Sequence, residues 1–433
     1  MYLWKSLTAR ADAANPVRVG LIGAGKFGAM FLAQVPTAPG LAVTAIADLK
    51  PDAARAACRA VGWEEARIAA VAVTDDAAAL AARADVDVVV EATGEPRAGV
   101  ANARAAFAAG KSVVMVNVEA DVLAGPVLAT EAAQAGVVYS MAYGDQPALV
   151  VELVEWARSC GFGVVAAGKG TKHHASFHAS TPDTVWEHYG LRPEAARAAG
   201  MNPKMFNSFL DGTKSALEMA AIANATGLAA PEAGLGFPPC PADRLATVLR
   251  PKAEGGALPG KGMVEVVSSL DAEMRPVPND LRWGVYVVLE APTDYAAACF
   301  RQYGMPTDPS GRYAALHRPY HLIGLELNVS ILAAALLGQA TGSTEAFRAD
   351  VVAVAKRDLA LGETLDGEGG ATVWGRLQPA AASVSAGALP IGLAQGGKLN
   401  RAVRAGEALR YADVALDAAD PLVALRRGMT AAA

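Results

Sequence analysis

The run Gly23-Ala24-Gly25-Lys26-Phe27-Gly28 constrains the chain more than any other segment, because it joins an apolar stretch, Val17 to Ile22, to a helix-like stretch ending near Val35. In that setting each glycine has its own task. Gly23 permits a tight turn, Gly25 lets the backbone approach a pyrophosphate, and Gly28 lets the helix pack closely on the strand. Lys26 and Phe27 open the helix, whose unpaired N–H groups face the phosphates. Asp48 closes the next apolar run, Leu41 to Ala47, at the distance where an acidic side chain meets a ribose 2′-hydroxyl. The competing explanation is a glycine-rich βα turn with no ligand.

Alternation continues beyond Asp48. The patterning predicts helices at 51–61, 76–83, 96–109 and 122–135, and strands at 68–73, 86–91, 112–116 and 137–141. Such a series implies α/β architecture, a Rossmann-type doubly wound parallel sheet with ligands at the carboxyl ends of its strands. Thr93, Gly94 and Asn117 stand at those ends and join the glycine loop and Asp48 as candidate cofactor-binding residues. Glu119 and Asp145, after neighbouring strands, are candidates for a shared divalent cation. A structural hydrogen bond for Glu119 and helix capping for Asp145 are the alternatives.

A length of 433 residues implies two or three domains. The boundaries expected are 1–147 for the dinucleotide domain, 148–350 for a central α+β domain for substrate and oligomerisation, and 351–433 for a small β-rich tail. With 53% hydrophobic and 19% charged residues, core material is plentiful. A net charge of −5 provides no basic footprint for nucleic acid or an anionic membrane. Four widely spaced cysteines fit reduced thiols in a cytoplasmic protein. The first fifteen residues lack the apolar core of a secretory signal. The apolar segment Leu322 to Leu337, interrupted by Glu326 and Asn328, is short for a membrane span. It is expected as a buried helix at the interface of a homodimer or homotetramer, starting near Pro319, with a monomer core as the alternative.

The central portion holds the groups able to do chemistry beside a nicotinamide. A single helix expected from about Met205 through Asn224 places Asp211, Lys214 and Glu218 at spacings of three and four, on one face. Lys214 could protonate a carbonyl oxygen as hydride arrives, with Asp211 holding it, and a solvated salt-bridge ladder explains the same spacing. The segment Gly168 to His174 is expected as a polar loop in which Lys169, Lys172 and His173 grip an anionic substrate, with a plain surface loop the equal alternative. Arg318 and His321 form a second polar knot at the mouth of the apolar helix, where an anion or a subunit interface fits equally. A small anionic substrate is therefore the partner expected, and the resemblances described below imply a phosphorylated sugar or a sugar acid.

The tail contains an internal echo: Lys356-Arg357-Asp358-Leu359-Ala360-Leu361-Gly362-Glu363 against Asn400-Arg401-Ala402-Val403-Arg404-Ala405-Gly406-Glu407, offset by 44 residues. It resembles the SAF domain, which implies a carbohydrate-related or assembly role.

Almost the whole chain resembles the homoserine dehydrogenase-like oxidoreductases, specifically the 1-deoxy-D-xylulose 5-phosphate reductoisomerase-like (DRL) proteins. The resemblance runs through Pro16 to Gly28, Gly168-Lys169-Gly170-Thr171-Lys172, His178 to Asp183, Asn207 to Lys214 and Arg318-Pro319-Tyr320-His321-Leu322. It implies NADP(H), with NAD(H) the alternative that Asp48 favours, and reduction and isomerisation of a phosphorylated ketose, in isoprenoid biosynthesis. Asp211 with Lys214 is similar to the Asp and Lys that homoserine dehydrogenases present to the nicotinamide. Orthodox reductoisomerases carry Asn-Lys-Glu and a metal-binding Asp-x-Glu where this chain has Asn117-Val118-Glu119 and Asp145-Gln146-Pro147, so a divalent metal is not carried over. A dehydrogenase of a sugar acid or amino-acid semialdehyde is the second enzymatic expectation, and a non-catalytic NAD(P)-sensing or assembly protein the third.

Overall fold

The computed structural model describes residues 3–417 and 419–431. These form two compact units. One runs to Glu152 and takes back His321–Glu345, and the other comprises Leu153–Tyr320 and everything from Ala346 onward.

The first unit is built on six parallel strands: β1 Val17–Ile22, β2 Leu41–Ala47, β3 Ala72–Thr74, β4 Val88–Glu91, β5 Ser112–Met115 and β6 Tyr139–Met141. Their order is β3-β2-β1-β4-β5-β6, a doubly wound arrangement. Val19, Leu21, Val89, Val90, Val113 and Val114 are wholly buried, because helices cover both sheet faces and the strands need apolar residues on each. Two boundaries move for local reasons. Ile68 lies in a short helix, Glu65–Ala69, rather than at the start of β3. The helix after β5 begins at Val118 instead of Val122, because the Asn117 side chain accepts the Ala120 N–H at 3.0 Å and caps it.

The returning segment corrects two expectations. Residues His321–Glu345 belong to the first unit rather than to a central domain spanning 148–350. They also form no continuous helix from Pro319. Asn328–Leu332 is α-helical and continues as a π-helical turn, Ala333–Leu337, ended by Gly338. Leu327, Ile331 and Leu332 pack with Phe31, Leu32 and Val35 in one core, while the Ser330 hydroxyl accepts the Tyr143 N–H at 2.7 Å. Part of the apolar stretch expected at a subunit interface is therefore buried within this unit, with Leu322 and Leu337 exposed.

The second unit carries a four-stranded sheet of β7 Gly163–Thr171, β8 Met263–Ser268, β9 Val285–Glu290 and β10 Tyr313–Arg318, in the order β10-β9-β7-β8. Gly168-Lys169-Gly170, expected in a loop, lies inside β7. A Cβ on Gly170 would meet the Leu281 carbonyl oxygen at 2.0 Å, so this glycine admits neighbouring backbone rather than ligand. The single helix expected through Asn224 is two helices, Pro203–Asp211 and Thr213–Thr226, broken at Gly212 with φ +92°.

The tail folds in the same unit around the antiparallel pair β11 Ala349–Ala355 and β12 Val373–Pro379, with the short pair β13 Lys398–Leu399 and β14 Val414–Ala415. The sequence echo is physical. Leu359 and Val403 exchange both backbone bonds, at 2.8 and 3.0 Å, and are separated by the same 44 positions as the two Gly-Glu pairs. Arg357–Glu363 and Arg401–Glu407 repeat one ion pair at 2.6 Å in each copy, so the copies pair about a local two-fold axis.

Candidate active site

In the first unit the glycine loop takes the form its spacing predicts. Gly23 has φ +93°, and a Cβ there would lie 2.7 Å from the Ala92 carbonyl oxygen. A Cβ on Gly28 would lie 2.5 Å from the Gly23 carbonyl oxygen, whereas one on Gly25 would meet nothing within 4 Å. Two glycines thus serve packing and the middle one opens onto space. Helix Lys26–Gln34 starts there without a side-chain cap, leaving its first N–H groups directed at the opening. This cradle fits a dinucleotide pyrophosphate.

Asp48 has a second task that its spacing did not reveal. Its Oδ2 accepts the Ala24 N–H at 3.0 Å and its Oδ1 the Lys50 N–H at 2.9 Å, so the carboxylate braces the glycine loop. Beyond β4, Thr93 donates its hydroxyl to Glu91 Oε1 at 2.6 Å, and Asn117 donates to Thr93 Oγ1 at 3.2 Å and to the Glu95 carbonyl at 2.9 Å. These bonds fix the turn containing Gly94. Glu91 itself escaped sequence reasoning; burial pushes its carboxyl upward, and an apolar run ending in Glu was the only signal.

The carboxylates proposed for a cation do not assemble a donor set. Asp145 Oδ1 accepts the Gln146 N–H at 2.9 Å, Glu119 stands in the first turn of the helix after β5, and no group of three or more His, Cys, Asp or Glu among the described residues is placed to hold a metal.

In the second unit the structure joins residues from separate parts of the sequence. Val285 pairs with Lys169 on one side and with Arg318 on the other, so Lys169 and Arg318 lie on the same face of three adjacent strands. Helix Thr213–Thr226 packs on this face: Glu218 forms a buried ion pair with Lys169, and Lys214, half-buried, stands one helical turn before Glu218. Lys169 and Glu218 are thus a buried pair between sheet and helix, with Arg318 two strands away on the same sheet face and Lys214 one turn along the helix.

Asp211 is not part of this arrangement. The break at Gly212 turns it away, and it pairs with Lys356 at 2.7 Å, both side chains buried. Lys172 donates to the His188 carbonyl at 2.5 Å, and burial lowers its pKa. His173 stacks on Phe237 at 3.8 Å, and burial pushes its pKa down to about 3. It is a neutral core histidine near neutral pH, which corrects its expected place in an anion-gripping loop. His321 belongs to the first unit.

Three segments match known family models: residues 17–141 the oxidoreductase family with an NAD-binding Rossmann fold, 144–327 the oxidoreductase DRL catalytic domain, and 350–415 the SAF domain. No curated protein matches. Among solved structures, a myo-inositol dehydrogenase from Lactobacillus casei in complex with NAD(H) and myo-inositol is 20% identical, with a TM-score of 0.30 over 40% of this chain and 50% of that one. A homoserine dehydrogenase from Thiobacillus denitrificans is 20% identical, with a TM-score of 0.36 over 49% of each chain. The chain spans about half the length of these structures. The matches assign an NAD-binding Rossmann domain of the oxidoreductase family to the first part of the chain and a DRL catalytic domain to the middle, and no helix among the described residues is long and apolar enough to cross a membrane.

Proposed function

We propose that the chain is a reductoisomerase of the DRL type, acting on 1-deoxy-D-xylulose 5-phosphate or a related phosphorylated ketose. The observation carrying this lies inside the segment that matches the DRL catalytic model: Lys169 and Arg318 share a sheet face across Val285, and Lys169 is paired to Glu218 on the helix that also carries Lys214. A dinucleotide, when bound, would supply the hydride. Arg318 offers a planar fork to the phosphate. Glu218 holds the Lys169 ammonium in place against the sheet, and Lys214 gives its proton to the carbonyl oxygen as charge develops there. Burial of the Lys169–Glu218 pair keeps water from competing for that ammonium.

A spectrophotometric screen tests the reading. NADPH and NADH oxidation are followed with 1-deoxyxylulose 5-phosphate and other phosphoketoses, and cofactor oxidation or reduction with sugar acids and amino-acid semialdehydes. Turnover on a phosphoketose is expected. Turnover on only a sugar acid or a semialdehyde would reassign the chain to the corresponding dehydrogenase, and cofactor binding without turnover on any of them would make it a sensor.

A further inference from the structure

Helix Thr213–Thr226 has a second occupied flank. At roughly 100° per residue, Ala216 lies opposite Lys214 and Glu218, and it faces a cavity of about 90 Å³ bounded by His178, Gly212, Gly234, Phe237, Trp374 and Arg376. The residues come from the central segment and from β12 of the tail, all within the second unit. This cavity lies on the other side of the helix from the proposed reaction face.

Its walls carry three complementary functions. His178 and Trp374 stack at 3.8 Å with 20° between their planes, and Phe237 stands edge-on to His178, so the cavity has a rigid aromatic wall against which the carbon skeleton of a small ligand packs. His178 Nδ1 meets the Asp211 carbonyl oxygen at 2.7 Å. Because a carbonyl only accepts, Nδ1 holds the proton and Nε2 is left as an acceptor. Burial lowers the pKa of this ring, which keeps it neutral. Arg376 brings the charge. Its stem packs over Gly234, and its guanidinium has no ion pair or hydrogen bond among the described residues. No carboxylate lines the cavity.

We propose that this cavity is a second ligand site, for a small hydroxylated anion: Arg376 binds its phosphate or carboxylate, His178 Nε2 accepts from a hydroxyl, and the aromatic wall packs against its carbon skeleton. An anion here bridges the helix that carries Lys214 to the tail strand β12, so binding stabilises the whole unit. The site is independent of the reaction proposed above.

Calorimetric titration and thermal unfolding of the full chain test it, with glycerol 3-phosphate as the phosphate arm, D-glycerate as the carboxylate arm and glycerol as the uncharged control. Saturable binding of one or both anions is expected, with a concentration-dependent rise in Tm and none from glycerol. Arg376→Met should weaken binding at least tenfold. Ala233→Trp, at an exposed rim position, should do the same by closing the mouth while leaving Arg376 in place, and it keeps the test decisive if Arg376→Met fails to fold. Lys214→Met should leave binding intact. The proposal is overturned if neither anion binds, if glycerol binds as well as they do, if binding survives both cavity variants, or if Lys214→Met abolishes it.

Discussion

Asp211 and Lys356, 145 positions apart, close an ion pair at 2.7 Å in which neither side chain retains more than 2% of its exposure. The ammonium directs its other protons to the carbonyls of Ser180, at 2.7 Å, and Gly370, at 2.6 Å, so all three donors are used. The pair fastens the end of helix Pro203–Asp211 to the tail.

Lys356→Met strands a buried carboxylate and should cost about 3–5 kcal/mol of unfolding free energy. The double variant Asp211→Leu, Lys356→Met removes both charges and should recover most of that loss. Denaturant unfolding of the single and double variants measures the difference, and equal losses would show that the charge pair is not what the position supplies.

Gly25 and Gly28 should separate binding from folding. Gly25→Val places its Cβ where no non-neighbouring atom stands within 4 Å, so Tm should hold while dinucleotide affinity falls at least tenfold, because the branched side chain occupies the space the pyrophosphate needs. Gly28→Ala presses a Cβ to 2.5 Å from the Gly23 carbonyl and should lower Tm first. Fluorescence titration with NADH beside thermal unfolding distinguishes the two.

The parallel sheet was legible because its strands are buried on both faces and read as apolar runs, each followed by a turn residue with a definite task. The central site was legible only in residue types. Nothing in Asp211-Gly212-Thr213-Lys214 except Gly212 itself signals a helix break, and a glycine in a helical pattern is tolerated often enough to be passed over. The pairing of Lys169 with Glu218, or of Asp211 with Lys356, depends on strand register and tail docking, which side-chain spacing along one element cannot encode. The 44-residue echo was visible, yet the exchange of bonds between Leu359 and Val403 needed the antiparallel pairing to appear.

Lys214→Met tests the acid. If Lys214 protonates the substrate oxygen, kcat should fall by about 10²–10⁴-fold with dinucleotide affinity unchanged, since the lysine lies outside the glycine cradle. Steady-state rates and a cofactor titration on the same preparation measure both, and wild-type turnover would remove Lys214 from the reaction.

Asp48 should resist the usual exchange of cofactor preference. Its oxygens brace Ala24 N and Lys50 N, so Asp48→Ala loosens the loop as well as removing the charge that repels a 2′-phosphate. NADH affinity should fall by at least tenfold, while NADPH gains less than the lost repulsion alone would give. Titrations at fixed ionic strength compare the two, and a clean gain in NADPH with unchanged loop stability would show the brace to be dispensable.

Glu265 should give the second unit a pH-dependent stability. Its buried carboxylate accepts the N–H groups of Val266 at 2.8 Å, Gly236 at 3.0 Å and Phe237 at 3.4 Å, but desolvation outweighs them and pushes the carboxyl from 4.5 up to about 7. The folded chain then binds this proton more tightly than the unfolded chain. Its contribution is fully present below about pH 4.5 and is lost as pH rises to about 7, a fall of roughly 3 kcal/mol if no other group offsets it. Phe237 holds φ at +47°, uncommon for a residue with a side chain, so the loop it occupies depends on those bonds. Glu265→Gln removes the titration, and the slope of unfolding free energy between pH 4.5 and 7 should become less negative than in the wild type. Chemical denaturation across that range measures it, and identical slopes would place the pH dependence elsewhere.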